Sequence, residues 1–178
     1  MAGARLISIV GRKNAGKTSL TVALAAEFVR RGKRVMTIKH GHHRSNVDVE
    51  GTDSWRHFHE GKAERVLLAG PEGRVFFDRA ADTYDPIGLA RQFLPDADII
   101  LVEGFKRAPL PKIEVWRKAI SPTPLYDPAA PDAARWVAMV TDDDGPRDWP
   151  FRVVHFRDTM WLHFLATLAW DEALVIEP

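Results

Sequence analysis

Apolar and polar positions along the chain alternate between two rhythms. Leu6-Ile7-Ser8-Ile9-Val10 is a short β-branched run closed by Gly11, the pattern of a buried strand. From Lys17 the rhythm changes: Leu20, Ala23, Leu24 and Phe28 recur at helical spacing until Gly32 stops them. Arg34 to Lys39 is a second strand, so the first forty residues read as a βαβ unit, which implies a parallel sheet with a right-handed crossover. Gly41 to Gly51 is polar and reads as a loop, and Asp53 to Gly61 as a short helix. Arg65 to Ala69 is a strand, with Gly73 to Asp78 its partner in a hairpin or at an edge. Pro86 to Leu94 is a helix opened by proline. Asp98 to Val102 is a nearly unbroken apolar run, as in a sheet centre covered on both faces. Pro111 to Arg117 alternates around Ile113 and Val115, which predicts a half-exposed strand. Pro122, Pro124, Pro128 and Pro131 mark 121–134 as a loop. Trp136 to Thr141 is a strand, Asp142 to Pro150 a loop, and Phe151 to Phe156 the last strand. Asp158 is the expected cap of a final helix reaching about Ala173. The alternation predicts one α/β domain over residues 1–178, doubly wound on a mostly parallel sheet, with an antiparallel edge hairpin.

Composition narrows the chemistry. The chain has 178 residues and no cysteine, which excludes disulfides, thiolate metal sites and cysteine nucleophiles. No run approaches the roughly 18 apolar residues of a membrane span. The N-terminal apolar run is too short for a secretory signal, so a cytoplasmic protein is expected. Net charge is +1, no sign of a nucleic-acid partner. The six tryptophans are scattered and read as packing residues.

Gly11-Arg12-Lys13-Asn14-Ala15-Gly16-Lys17-Thr18 matches G-x-x-x-x-G-K-[ST] at every fixed position. Such a spacing turns successive backbone N–H groups into one concavity, and the following helix adds its positive end. Lys17 would then reach the β- and γ-phosphates of a nucleoside triphosphate, and the Thr18 hydroxyl would hold Mg²⁺. The match lies between a strand and a helix, as the chemistry requires. A second acid is needed to support the metal. Of the two acids flanking the 98–102 strand, Glu103 stands at the carboxyl end, where parallel sheets gather ligands. The plain alternative is a loop carboxylate paired with Lys106 or Arg107.

Lys39-His40-Gly41-His42-His43 follows the second strand, inside a locally basic stretch that includes Arg30, Arg31, Lys33, Arg34 and Arg44. Its residues suit a metal site, an anion site for a phosphate group, or a solvated loop. It lacks the interleaved aromatics of a nucleic-acid face.

Taken together, the GRKNAGKTSL loop, TIKHGHH with Asp48 after it, Asp53-Ser54, and IILVEGFK followed by Pro111-Lys112-Ile113 resemble the molybdopterin-guanine dinucleotide biosynthesis protein B (MobB) family of GTP-binding proteins. The tail after about Leu125 matches only loosely. The resemblance implies a homodimer that binds GTP with Mg²⁺, hydrolyses it weakly, and assists a guanylyltransferase in attaching GMP to molybdopterin. By match of motif, Gly11, Asn14, Ala15, Gly16, Lys17, Thr18 and Ser19 take the phosphates. Lys17 and Glu103 are the catalytic pair, and Thr18 with Glu103 serves the metal. His40, His42 and His43 line a groove for an anionic pterin or a partner. One departure stands out. The N-K-x-D guanine reader of many GTPases is absent, and Asp142, after the strand ending at Thr141, is the candidate to accept from guanine N1 and N2. A small-molecule kinase and a metal-delivery GTPase are the competing functions.

Overall fold

The computed structural model describes residues 3–41, 48–79, 85–144 and 148–177. Its elements are β1 (Ala4–Val10), α1 (Lys17–Arg30), β2 (Val35–Lys39), α2 (Asp53–His59), β3 (Arg65–Gly70), β4 (Gly73–Asp78), α3 (Pro86–Phe93), β5 (Ile99–Glu103), β6 (Lys112–Trp116), β7 (Trp136–Thr141), β8 (Arg152–His155), α4 (Trp161–Glu172) and β9 (Leu174–Ile176). Two compact units result: Met1–His40 with Tyr84–Pro178, and the insert Gly41–Thr83.

The first unit carries a mostly parallel sheet in the order β2-β5-β1-β6-β7-β8, with β9 antiparallel to β1. The expected doubly wound α/β architecture is present. β1 and β2 are parallel members of this sheet, but β5 lies between them. Period-two alternation sends the sheet's side chains to two cores. Ile7, Ile9, Ile99, Leu101, Ile113 and Val115 pack with Leu20, Leu24 and Phe28 of α1 and Leu165, Ala166 and Ala169 of α4. Leu6, Ile100 and Val102 pack on the other face with Ala90 of α3 and Leu110. Each fully buried large aliphatic contributes roughly 1.5–3 kcal/mol. Glu27 fastens the two helices of the first face. It orients Arg31 through a 2.7 Å bond, and Arg31 donates to the His163 carbonyl at 2.8 Å and the Thr167 hydroxyl at 3.0 Å. Hydrogen bonds from Arg30 and Arg31 hold the Glu27 carboxyl down at about 2.

Three expectations need correction. β6 is buried along its whole length, not half exposed. Its polar face is covered by the proline-bearing segment 117–135, which three alternate side chains fasten. Lys112 Nζ pairs with Asp132 at 3.0 Å, Glu114 accepts from the Leu125 and Tyr126 N–H groups at 2.6 and 3.1 Å, and Trp116 Nε1 donates to the Ser121 carbonyl at 3.0 Å. Polar residues on one face of a strand therefore signalled polar protein, not water. Asp158 does not cap the last helix. α4 opens at Trp161 behind Met160, which has φ +62° and gives no side-chain cap. The Asp158 carboxylate instead accepts from His155 N at 3.0 Å and closes the turn after β8. Finally, Phe151–Phe156 is not the last strand, because β9 follows α4 and pairs with β1.

In the second unit, β3 and β4 form a two-stranded antiparallel sheet of their own, instead of an edge of the larger sheet. Phe77 packs against Phe58 of α2 at 5.9 Å. On the opposite hairpin face, Leu67 and its register partner Phe76 are 61% and 43% exposed. Asp48 accepts from the Thr52 and Ser54 hydroxyls at 2.9 Å each, fixing the entry to α2.

Burial pushes the Glu114 carboxyl up to about 7, against the opposing pull of two backbone N–H groups and Arg12. The folded chain thus binds this proton more tightly than the unfolded chain, where a glutamate titrates near ~4.3. The stability from protonated Glu114 is complete below that value and is lost as pH rises through about 7. Glu114→Gln cannot ionise, so its unfolding free energy relative to wild type should climb between about pH 5 and pH 8. Urea denaturation at both pH values checks this, and a constant difference would assign the slope elsewhere.

Candidate functional site

β1 delivers Val10, nearly fully buried, to the carboxyl edge of the sheet, and the chain leaves through Gly11. Gly11 has φ +149°, and a Cβ there would lie 2.5 Å from the Val115 carbonyl oxygen. Only glycine lets the loop pass this close to β6. Asn14 and Gly16 take φ +65° and +105°, and Ala15 N donates back to the Arg12 carbonyl at 3.2 Å. The Ala15 side chain is buried in the core and pins the loop from below. α1 then opens at Lys17 with Gly16 as its N-cap residue and no side-chain cap, so its first N–H groups and positive dipole end face the loop. Lys17 Nζ reaches across to the Arg12 carbonyl at 2.9 Å. Burial lowers the Lys17 pKa, with Glu103 opposing the shift and Lys39 adding to it.

Glu103 ends β5 at the same edge and is almost wholly buried. The turn behind it is fixed twice to β1. Gly104 N donates to the Ile9 carbonyl at 3.0 Å, and the Ser8 hydroxyl donates to the Gly104 carbonyl at 2.8 Å. The Thr18 hydroxyl donates to Glu103 Oε1 at 2.9 Å. Lys39, the register partner of Glu103 on β2, brings its ammonium to 3.2 Å from the same oxygen and 3.4 Å from Thr18 Oγ1. A carboxylate and a hydroxyl already gathered around a positive charge are the hard-oxygen donors that suit Mg²⁺.

A family model described as molybdopterin guanine dinucleotide synthesis protein B (MobB) matches residues 6–142. The chain belongs to the MobB family. A molybdopterin-guanine dinucleotide biosynthesis adapter protein of Haemophilus influenzae is 40% identical over 124 residues, 68% of this chain and 69% of the relative. Its Escherichia coli namesake is 32% identical over 118 residues, 63% and 65% of the two chains. These matches thus span about two thirds of each relative's length. Among solved structures, Bacillus subtilis MobB superposes with a TM-score of 0.67 at 19% identity, covering 92% of this chain and 97% of that one. A MobB homologue from Bacillus stearothermophilus gives 0.62 at 21% identity, covering 92% and 97%. Such identities show a shared fold. The family model ends at residue 142, so β8, α4 and β9 lie beyond it.

The fold brings together Gly11, Asn14, Ala15, Gly16, Lys17, Thr18 and Ser19 of the MobB loop region with Glu103. Asp98, the other acid considered, lies at the opposite edge, where Oδ2 accepts from Arg34 N at 2.7 Å. His40 stands directly after β2, with its ring 4.8 Å from that of Phe105. His42 and His43 lie outside the described residues. Asp142 follows β7 and sits beside the end of β6, accepting from Lys118 N at 3.4 Å and pairing with Arg117 at 3.4 Å.

Arg117 escaped the sequence reading. Its Nε donates to the Ala15 carbonyl at 3.0 Å, its Nη1 meets Asp142, and its guanidinium stacks 4.6 Å from the centre of the Phe156 ring. One side chain therefore ties the glycine loop to the candidate base reader. The signal was available: Arg117 follows β6 at the carboxyl edge, the same position on its strand that singled out Glu103.

Gly11→Ala places a methyl group against the Val115 carbonyl, in a backbone conformation hostile to L-residues. A loss of about 1–3 kcal/mol is expected in chemical denaturation. A variant as stable as wild type would show that the loop's exit is not constrained as described.

Proposed function

We propose that this chain binds GTP with Mg²⁺ and acts as an adapter in the attachment of GMP to molybdopterin, in concert with a guanylyltransferase. Membership of the MobB family supports the pathway. The observation that carries the nucleotide reading is the meeting of the glycine loop, Thr18 and Glu103 at one sheet edge, with the Thr18 hydroxyl 2.9 Å from the carboxylate. In this reading the loop N–H groups and the opening of α1 cradle the phosphates. Lys17 leaves the Arg12 carbonyl to meet the β- and γ-oxygens. Thr18 and Glu103 would hold the metal, which would supply charge neutralisation for the phosphates. Asp142 offers two oxygens to guanine N1 and N2, which adenine cannot match, and Arg117 keeps that carboxylate in register with the loop. His40, with His42 and His43, is assigned to an anionic pterin or the partner enzyme.

Calorimetry with GTP and ATP, each with and without Mg²⁺, tests this. Lys17→Ala should weaken GTP binding at least about tenfold, a change of ~1.4 kcal/mol. Asp142→Asn should erode the preference for GTP over ATP. If Lys17→Ala binds GTP as wild type does, the nucleotide reading fails. If Asp142→Asn keeps the preference, guanine is read elsewhere.

The protein is further proposed to be a cytoplasmic homodimer with no nucleic-acid or membrane partner. No helix among the described residues is long and apolar enough to cross a membrane. The outward hairpin face bearing Leu67 and Phe76 supports self-association, since two large apolar groups stand exposed side by side. Leu67→Asp should shift sedimentation velocity from a dimer toward a monomer. An unaltered dimer would remove the hairpin from the interface.

A further inference from the structure

We propose that Lys39 is a tethered cation that fills the place between Thr18 and Glu103 in the nucleotide-free protein and yields it when a metal–nucleotide complex binds. This rests on the nucleotide reading above and adds an exchange step to it.

The Glu103 side chain is only 10% exposed, so its charge requires a partner. Two arrive from different elements. Thr18, in the first turn of α1, spends its single hydroxyl proton on Glu103 Oε1 at 2.9 Å, which leaves its lone pairs facing outward. Lys39 Nζ stands where those lone pairs and the carboxylate converge, 3.4 Å from one and 3.2 Å from the other. A cation held by a hydroxyl oxygen and a carboxylate oxygen has the surroundings of a hard metal ion.

Lys39 is also built to leave. It ends β2, the strand at the sheet's edge, and its side chain is 61% exposed. An ion pair so open to water holds its partner weakly. A divalent ion brings twice the charge to the same two oxygens, and two cations crowded onto them at such distances repel each other. A triphosphate in the adjacent loop then offers the released ammonium an anionic destination. Lys39 thereby favours nucleotide binding without metal, by masking Glu103 from the phosphates, and competes with the metal when it is present.

The ratio of dissociation constants for a fluorescent GTP analogue in EDTA and in excess Mg²⁺ reads this competition directly. For Lys39→Met the ratio should rise about tenfold over wild type, because metal-free binding weakens while metal-supported binding does not. Lys39→Arg, which keeps the charge, should stay near the wild-type ratio. An unchanged or smaller ratio in Lys39→Met overturns the proposal and leaves nucleotide binding standing. No binding of the analogue by the wild-type chain would sink the nucleotide reading, and the exchange step with it.

Discussion

Burial of β1 and β5 on both faces is the constraint from which the rest follows. These two strands lie inside the sheet, with α1 and α4 over one face and α3 over the other. Neither face has room for an uncompensated charge. Chemistry is therefore confined to strand ends, and parallel strands put all their carboxyl ends on one edge. Gly11, Lys39, Glu103, Arg117 and Asp142 each stand at or just past such an end. Five strands thus supply one edge, although their residues are far apart in the chain.

An edge alone does not aim a carboxylate. The turn after β5 does so through two consecutive left-handed residues, Gly104 at φ +92° and Phe105 at φ +49°. Phe105 accepts the unfavourable conformation because its side chain is buried in the second core. Ser8 explains itself in the same way. A hydroxyl inside an otherwise apolar strand is costly unless bonded, and it bonds to the Gly104 carbonyl. A β1 side chain thus holds the turn that holds Glu103, while the β1 backbone launches the glycine loop. Loop and acid share one anchor, so their separation is set by the most rigid part of the fold.

The legible parts of the sequence were those where one local rule acts alone. β7 spans Trp136–Thr141 as expected, and α3 starts at its proline. Glu103 was expected at the carboxyl edge because strand direction decides which end lies there, and it ends β5 beside Thr18. The misreadings arose where a second layer intervened. Alternation in β6 could not distinguish solvent from the fastened segment 117–135, since both are polar. Asp158 has a capping side chain, but the turn after β8 claims it first. β9 has three residues, too short for a periodic signal. Arg117 was passed over although its place after β6 was a signal, because its partners Ala15, Asp142 and Phe156 are brought to it only by the fold.

Three cations at this edge, Lys17, Lys39 and Arg117, share a further property: each already has an internal partner. Lys17 donates to Arg12, Lys39 to Glu103 and Thr18, and Arg117 to Ala15 and Asp142. None of these three awaits a ligand as a bare charge, which would be costly where the groups are partly buried. On the proposed reading, a nucleotide must exchange these partners instead of simply adding new ones. Its net affinity is then the difference between two sets of similar bonds, smaller than the contact count suggests. On that reading the site would sense its ligand by rearranging. Withdrawal of Lys17 and Lys39 would alter the loop and the end of β2 together, at the point where the chain enters the Gly41–Thr83 unit. That suits an adapter, whose task is to present a changed surface to a partner, better than an enzyme that must hold a rigid transition-state cradle.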